Sequence, residues 1–276
     1  MTDCIGKYYY EGASFRKIPF PSAPEFFSGT CFYEVLRVTE GCCIFLDDHL
    51  VRLNESLRLS GISFRLARDQ VSAVIQVLIR RNGLVSGNIR LMVHVKTPEP
   101  PELYSCCIPF YYPLAEQYKQ GVSTAVYHTL RSNPNVKQLN PMYQKEMLSF
   151  MAERNIYESL LADEHDRITE GSRSNVFFIR HNTLFTAPDN AVLKGITRNK
   201  VILLCKVLNY KLIKNAISIE DLNSTEALFL TGTSPKILPV CRIDNRVFMV
   251  DHPLVKSLME SYDQLIRTEI ARNRNS

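Results

Sequence analysis

No apolar stretch in this 276-residue chain approaches the roughly 20 residues that a membrane-spanning helix needs, so a membrane protein is not expected. The opening stretch, 1–7, lacks a charged segment followed by an apolar run and a small-residue cleavage site, and the expected location is the cytoplasm. Charge of one sign is also lacking. Thirty-three basic residues stand against 28 acidic ones, a net +5 spread along the chain, and only the tail 267–274 is locally basic. A solvated helix end explains that tail, and no nucleic-acid partner is expected. The eight cysteines have no Cys-x-x-Cys spacing and no nearby histidines; Cys42–Cys43 and Cys106–Cys107 sit inside apolar runs, which predicts buried reduced thiols and no metal.

Several chemistries are missing their signatures. There is no Gly-x-Gly-x-x-Gly, no Gly-x-x-x-x-Gly-Lys-Ser/Thr, no Gly-x-Ser-x-Gly and no His-Glu-x-x-His, which removes the usual dinucleotide, nucleoside-triphosphate, serine-hydrolase and zinc-hydrolase readings. No internal repeat or low-complexity segment interrupts a composition that is 45% hydrophobic and 22% charged, so the chain is expected to fold throughout.

What is present reads as strands and separate helices. An apolar run at 31–38, a turn at Glu40-Gly41 and a second run at 42–46 predict a hairpin. Asp47 or Asp48 is the expected cap of a helix on which Leu50, Leu53 and Leu57 recur at helical spacing. Val71, Val74, Ile75, Leu78 and Ile79 share a face of a second helix that Asn82-Gly83 ends. Strands follow at 88–96 and 106–112, and a polar, turn-like stretch at 114–121 marks the division between two domains, 1–118 and 122–276. Beyond it come a strand at 122–127, a loop, helices at 143–154 and 198–208, several short strands, and a terminal helix opened by Pro253. The absence of regular βαβα alternation predicts an α+β fold.

Three turns place a glycine beside hydroxyl residues: Glu170-Gly171-Ser172, Gly195-Ile196-Thr197 and Thr231-Gly232-Thr233-Ser234. Glycine lets backbone amides approach an anion, and a threonine at a helix start adds a hydroxyl to the positive end of the dipole. Taken singly, each has an ordinary reading: Thr197 as an N-cap, Glu170 as a surface carboxylate, and Lys137 in its loop as a solvated charge.

Taken together they form a pattern. The string 169–177, Thr-Glu-Gly-Ser-Arg-Ser-Asn-Val-Phe, resembles the signature of the class IV aminotransferases. So do 193–198, Leu-Lys-Gly-Ile-Thr-Arg, and 229–234, Phe-Leu-Thr-Gly-Thr-Ser, and upstream the blocks 29–37 and 48–53. The five blocks keep the family's order. The resemblance implies a small N-terminal α/β domain and a larger C-terminal domain with a barrel-like sheet, with pyridoxal 5'-phosphate held between them, in a homodimer. Lys137 would carry the cofactor covalently, Glu170 would meet its pyridine nitrogen, and Arg52, Ile196, Thr197 and Thr233 would hold its phosphate.

Within the family the blocks divide. Asn88-Ile89-Arg90-Leu91 and the 29–37 block resemble branched-chain aminotransferases, with Arg90 as a candidate for the substrate carboxylate and an L-amino acid and a 2-oxo acid as substrates. Lys137-Gln138-Leu139-Asn140 is more similar to D-amino acid aminotransferases and 4-amino-4-deoxychorismate lyases. Met142 falls where branched-chain enzymes have a tyrosine, and Tyr143 is one place off. Transamination is the leading reading and the lyase the alternative, with a non-catalytic cofactor-binding or scaffold homodimer behind both.

Overall fold

The computed structural model describes residues 4–18 and 29–274. Met1 to Asp3, part of the stretch read for a targeting signal, lie outside the described residues. The chain divides into two compact units: Met1–Tyr111 with Val136–Leu139 and Ile266–Ser276, and Tyr112–Asn135 with Asn140–Leu265.

The first unit is built on strands β1 (Ile5–Glu11), β2 (Ser14–Lys17), β3 (Thr30–Thr39) and β4 (Cys42–Cys43), helices α1 (Leu46–Leu59) and α2 (Arg68–Asn82), and strands β5 (Gly87–Val95) and β6 (Glu102–Ile108). Six strands form one sheet in the order β2-β1-β6-β5-β3-β4. The helices cover one face because their apolar stripes match its pleat: Leu50, Leu53 and Leu57 of α1 and Val71, Val74, Ile75 and Leu78 of α2 form one core with Phe32, Leu36, Ile89, Leu91 and Val93. Gly83 ends α2 at φ 59°, a left-handed position that glycine adopts without steric cost.

Three expectations about this unit are corrected. Phe45, at φ 56°, takes the N-cap of α1, and Asp47 and Asp48 fall inside the first turn, where their charge still favours the helix dipole. Cys4 and Cys106 form a disulfide beside the β1–β6 pairing, so not all eight cysteines are free; the other six are. The short segment 136–139 belongs to this unit. It adds to the free edge of β3, where Phe32 bridges Gln138 and Leu139 N–H donates to Cys31 O at 2.8 Å.

The second unit contains α3 (Ala115–Gln120), β7 (Val122–His128), α4 (Pro141–Arg154), β8 (Glu158–Ala162), β9 (Arg167–Gly171), β10 (Asn175–Arg180), β11 (Thr183–Thr186), α5 (Ile196–Val207), β12 (Leu212–Lys214), β13 (Ile217–Ser218), β14 (Ala227–Gly232), β15 (Lys236–Ile243), β16 (Arg246–Val247) and α6, which spans Pro253–Arg274 and ends in the first unit. The stretch read as turn-like at 114–121 is therefore mostly helix, started where Leu114 N–H donates to Gln117 Oε1 at 3.0 Å. Its strands run β12-β11-β10-β14-β15-β7-β8-β9-β13, with β16 on β15, and Val176, Phe178, Leu228, Leu230, Leu238 and Val240 bury one face. The α+β class stands: neighbouring strands are mostly antiparallel, with β7 parallel to both β8 and β15 and β11 parallel to β12.

Candidate active site

In the first unit the backbone fixes Lys137 on two sides. Its C=O accepts from Tyr33 N–H at 3.1 Å, and its N–H donates to Ser56 Oγ at 3.1 Å. The lysine Nζ stands 4.5 Å from the centroid of the Tyr33 ring. A loop lysine is ordinarily mobile; this one lies on the edge of a sheet, half-buried.

Arg52 rises from α1 one turn before Ser56. Its Nε donates to Glu34 Oε1 at 2.7 Å and its Nη2 to Glu34 Oε2 at 2.6 Å, a bidentate fork. His49 Nδ1 meets Glu34 Oε2 at 2.7 Å. Glu34 is fully buried. Burial alone would push its carboxyl up, but the charge and hydrogen bond of Arg52 and the bond from His49 overcome that and hold it at about 2. For His49 burial dominates and pushes the imidazole down, against the pull of Glu34. The neutral ring then donates through Nδ1–H. Arg90 lies in the middle of β5, opposite Val35 and Cys106. Its neighbours Ile89 and Leu91 point into the core under α1 and α2, so Arg90 projects from the opposite face, the one shared by Tyr33. The first unit thus brings Arg52 and Lys137 together around α1 and sets Arg90 across the sheet from Arg52.

In the second unit Glu170, 2% exposed, is the penultimate residue of β9. Its Oε2 accepts from Leu193 N–H at 3.1 Å and Asn175 Nδ2 at 3.3 Å, and its Oε1 lies 3.4 Å from Arg131 Nε. Arg131 also donates through Nη2 to Ser172 O and stands 5.5 Å from the centroid of Tyr143. Met142 is 84% exposed at the start of α4, whereas the Tyr143 hydroxyl is buried. Burial pushes that phenol up, Arg131 opposes, and Glu170 and Glu158 add to the rise. Tyr143, and not Met142, is the tyrosine turned toward Glu170. Glu158 is buried behind it, accepting from the Ser172 and Ser174 hydroxyls and the Ser159 and Arg173 amides.

Beside Glu170 lies the start of α5. Gly195 is its N-cap, and Ile196 and Thr197 occupy a first turn whose amides have no intrahelical acceptor. Both side chains are buried, and Thr197 Oγ1 lies 3.1 Å from Tyr262 Oη. The adjacent Arg198 is wholly buried, donating to Ala187 O at 2.8 Å and paired with Asp189 at 2.9 Å. A Cβ on Gly195 would sit 2.1 Å from Asn175 Oδ1, so a side chain there would fill the cradle. Thr231, directly opposite Asn175 in the sheet, has a buried hydroxyl with no hydrogen-bond partner among the described residues, and Thr233 follows it, half-buried, in the turn to β15. Glu170, Ile196, Thr197 and Thr233 are thus gathered in this unit around Asn175 and the α5 start.

The family model for class IV amino-transferases matches residues 31–243, most of the chain. The chain belongs to the class IV aminotransferase family. Among its relatives are a D-alanine aminotransferase of Bacillus licheniformis, 28% identical over 259 residues (88% of this chain, 90% of that protein), and a putative branched-chain-amino-acid aminotransferase of Methanocaldococcus jannaschii, 29% identical over 233 residues (79% and 80%). The fold is that of the Escherichia coli branched-chain amino acid aminotransferase, with a TM-score of 0.84 at 21% identity over 95% of each chain.

Class IV aminotransferases depend on pyridoxal phosphate, and the residues of this aminotransferase fit that group. Helix-start amides, a glycine cradle and an unpartnered buried threonine hydroxyl suit phosphate oxygens, and an oriented buried carboxylate suits a ring nitrogen. Reading the sequence gave no role to Glu34, His49, Arg131, Glu158 or Tyr262. Glu34 and His49 carried a signal, since they lie in the 29–37 and 48–53 blocks and His49, three residues before Arg52, shares its helix face. Among the described residues no group of three or more His, Cys, Asp or Glu could hold a metal ion, and no helix is long and apolar enough to cross a membrane.

Proposed function

We propose that this aminotransferase binds pyridoxal 5'-phosphate and moves an amino group between an L-amino acid with a branched-chain-like side chain and a 2-oxo acid. The observation that carries the reading is Glu170: a buried carboxylate aimed by the Leu193 amide and Asn175, flanked by the Gly195 cradle. When bound, the cofactor supplies an electron sink for the bonds at the substrate's Cα. The protein supplies position and proton transfer. Glu170 holds a proton on the ring nitrogen, and Lys137 carries the cofactor and moves the Cα proton. Arg52, the Ile196 amide, Thr197 and Thr233 grip the phosphate. Arg90 takes the substrate carboxylate; the Asn88-to-Leu91 stretch supports a branched-chain-like donor. We place the enzyme in the cytoplasm and, in keeping with the resemblance, as a homodimer.

Borohydride treatment of the holoenzyme followed by peptide mapping is expected to put the pyridoxyl group on Lys137; finding it on Lys194 or Lys236 would overturn that assignment. A panel of L- and D-amino acids, read by conversion of the visible band to that of the amine form of the cofactor, tests the donor. Conversion by D-alanine alone would overturn the L-donor reading. Pyruvate and 4-aminobenzoate from aminodeoxychorismate, with no conversion by any amino acid, would give the decision to the lyase.

A further inference from the structure

Among the described residues Glu34 is the most completely buried carboxylate of the first unit, and none of the proposed chemical steps uses it. Three hydrogen bonds converge on it: two from Arg52 and one from His49. We infer that Glu34, braced by His49, is a positioning residue that locks Arg52 as the anchor for the cofactor's phosphate; the inference rests on the proposed binding of pyridoxal phosphate.

The geometry separates this role from that of a plain ion pair. A guanidinium carries five N–H groups in a rigid planar fork. Glu34 takes Nε and Nη2, which defines the plane of the fork and directs its Nη1 edge away from the carboxylate. An unbraced arginine must surrender its rotamers when it grips an anion, whereas one locked in the folded protein has already lost them. His49 completes the brace. It stands three residues before Arg52 on the same helix, so α1 presents both donors to one carboxylate. As a neutral ring it adds a third hydrogen bond without adding a second positive charge that would compete with Arg52 for Glu34. The groups around the cluster agree with this: Lys137 is the other charge acting on His49, and Ser56, one turn beyond Arg52, carries the Lys137 amide. The phosphate anchor and the cofactor lysine are thereby fixed by the same helix.

The test compares pyridoxal 5'-phosphate with pyridoxal, which lacks the phosphate, in equilibrium titrations of the apo-protein followed by ligand absorbance, with turnover not measured. Glu34→Gln offers Arg52 one acceptor oxygen and sets an amide donor against the other N–H. It is expected to weaken pyridoxal phosphate about 10- to 100-fold, the range for a hydrogen bond to a charged group, and to leave pyridoxal unchanged. His49→Asn, which keeps an N–H in the place of Nδ1, is expected to retain phosphate discrimination, and His49→Leu to lose it; this pair decides the matter where Glu34→Gln does not fold. Equal losses for the two ligands, or no loss in Glu34→Gln, would overturn the inference. If Arg52→Gln itself leaves pyridoxal phosphate affinity unchanged, or the parent protein binds neither ligand, the underlying reading of the site fails instead.

Discussion

Replacing Gly195 by alanine tests the cradle at the start of α5 through one methyl group. The backbone there is at φ −58° and ψ 138°, a conformation alanine adopts freely, so any cost comes from space and not from backbone strain. In the unfolded chain the change is favourable by about 0.4–1 kcal/mol, because alanine has less freedom to lose. In the folded protein the new Cβ lies 2.1 Å from Asn175 Oδ1 and 3.3 Å from Arg198 Cβ. Neither neighbour is the loose end of a surface chain. Asn175 is buried, with Nδ2 bonded to Leu193 O at 2.9 Å and to Glu170 at 3.3 Å, and Arg198 is fixed at Asp189 and Ala187. Relief requires moving Asn175 off the Glu170 carboxylate, at about 1.5–3 kcal/mol, or shifting the helix start, at about 1–3 kcal/mol. The net expectation is destabilisation of about 1–2 kcal/mol, several degrees in a thermal melt of the apo-protein, with weaker binding of pyridoxal phosphate. The double variant Gly195→Ala/Asn175→Ala removes the clash together with the amide. Its melting temperature is therefore expected to lie above the sum of the two single losses. Gly195→Ala melting at the parent temperature and binding the cofactor with parental affinity would refute the close approach on which the cradle rests.

Two further outcomes follow from the carboxylates. Glu170→Gln keeps the shape but gives up the charge that holds a ring proton, so it is expected to retain the cofactor while turnover falls by orders of magnitude; spectra and single-turnover rates check this, and near-parental rates would move the role to another group. Glu34, lowered from 4.5 to about 2 in the folded protein, contributes stability that is complete above the unfolded value and is lost as pH falls through the window from about 4.5 to 2, on the order of 3 kcal/mol. His49, also lowered, acts in the same direction from pH 6.5 downward. Denaturant melts across pH 2–7 are expected to show this acid limb in the parent and a shallower one in Glu34→Gln; equal limbs would show that other groups carry it.

How much of this was legible depends on the range of the interaction. Local spacing gave α1 and α2 their buried leucines and valines, because an apolar stripe at 3.6-residue period specifies a buried face whatever it packs on. The division of the chain was less accessible. Residues 136–139 stand outside any apolar period of their own, and what ties them to the first unit is long-range: backbone bonds to β3, about a hundred residues away, and the bond from Lys137 N–H to Ser56 Oγ on α1. Glu170, Thr197 and Thr233 were named because each lies in a short glycine-hydroxyl string. The residues that aim them were not, since Arg131 reaches Glu170 across 39 positions and Tyr262 reaches Thr197 across 65, and no local pattern encodes such a pairing. Tyr143 shows the limit from the other side: counted along the chain, Met142 falls at the tyrosine position. The α4 start at Pro141, capped where Asn140 Oδ1 accepts from Tyr143 N–H at 3.0 Å, decides which of the two neighbours turns inward. At a helix start one residue is a rotation of about 100°, enough to exchange a solvent-facing methionine for a buried phenol. A motif therefore identifies the groups that meet a ligand, while their aim is set by capping geometry and by long-range partners such as Glu34 and Arg131.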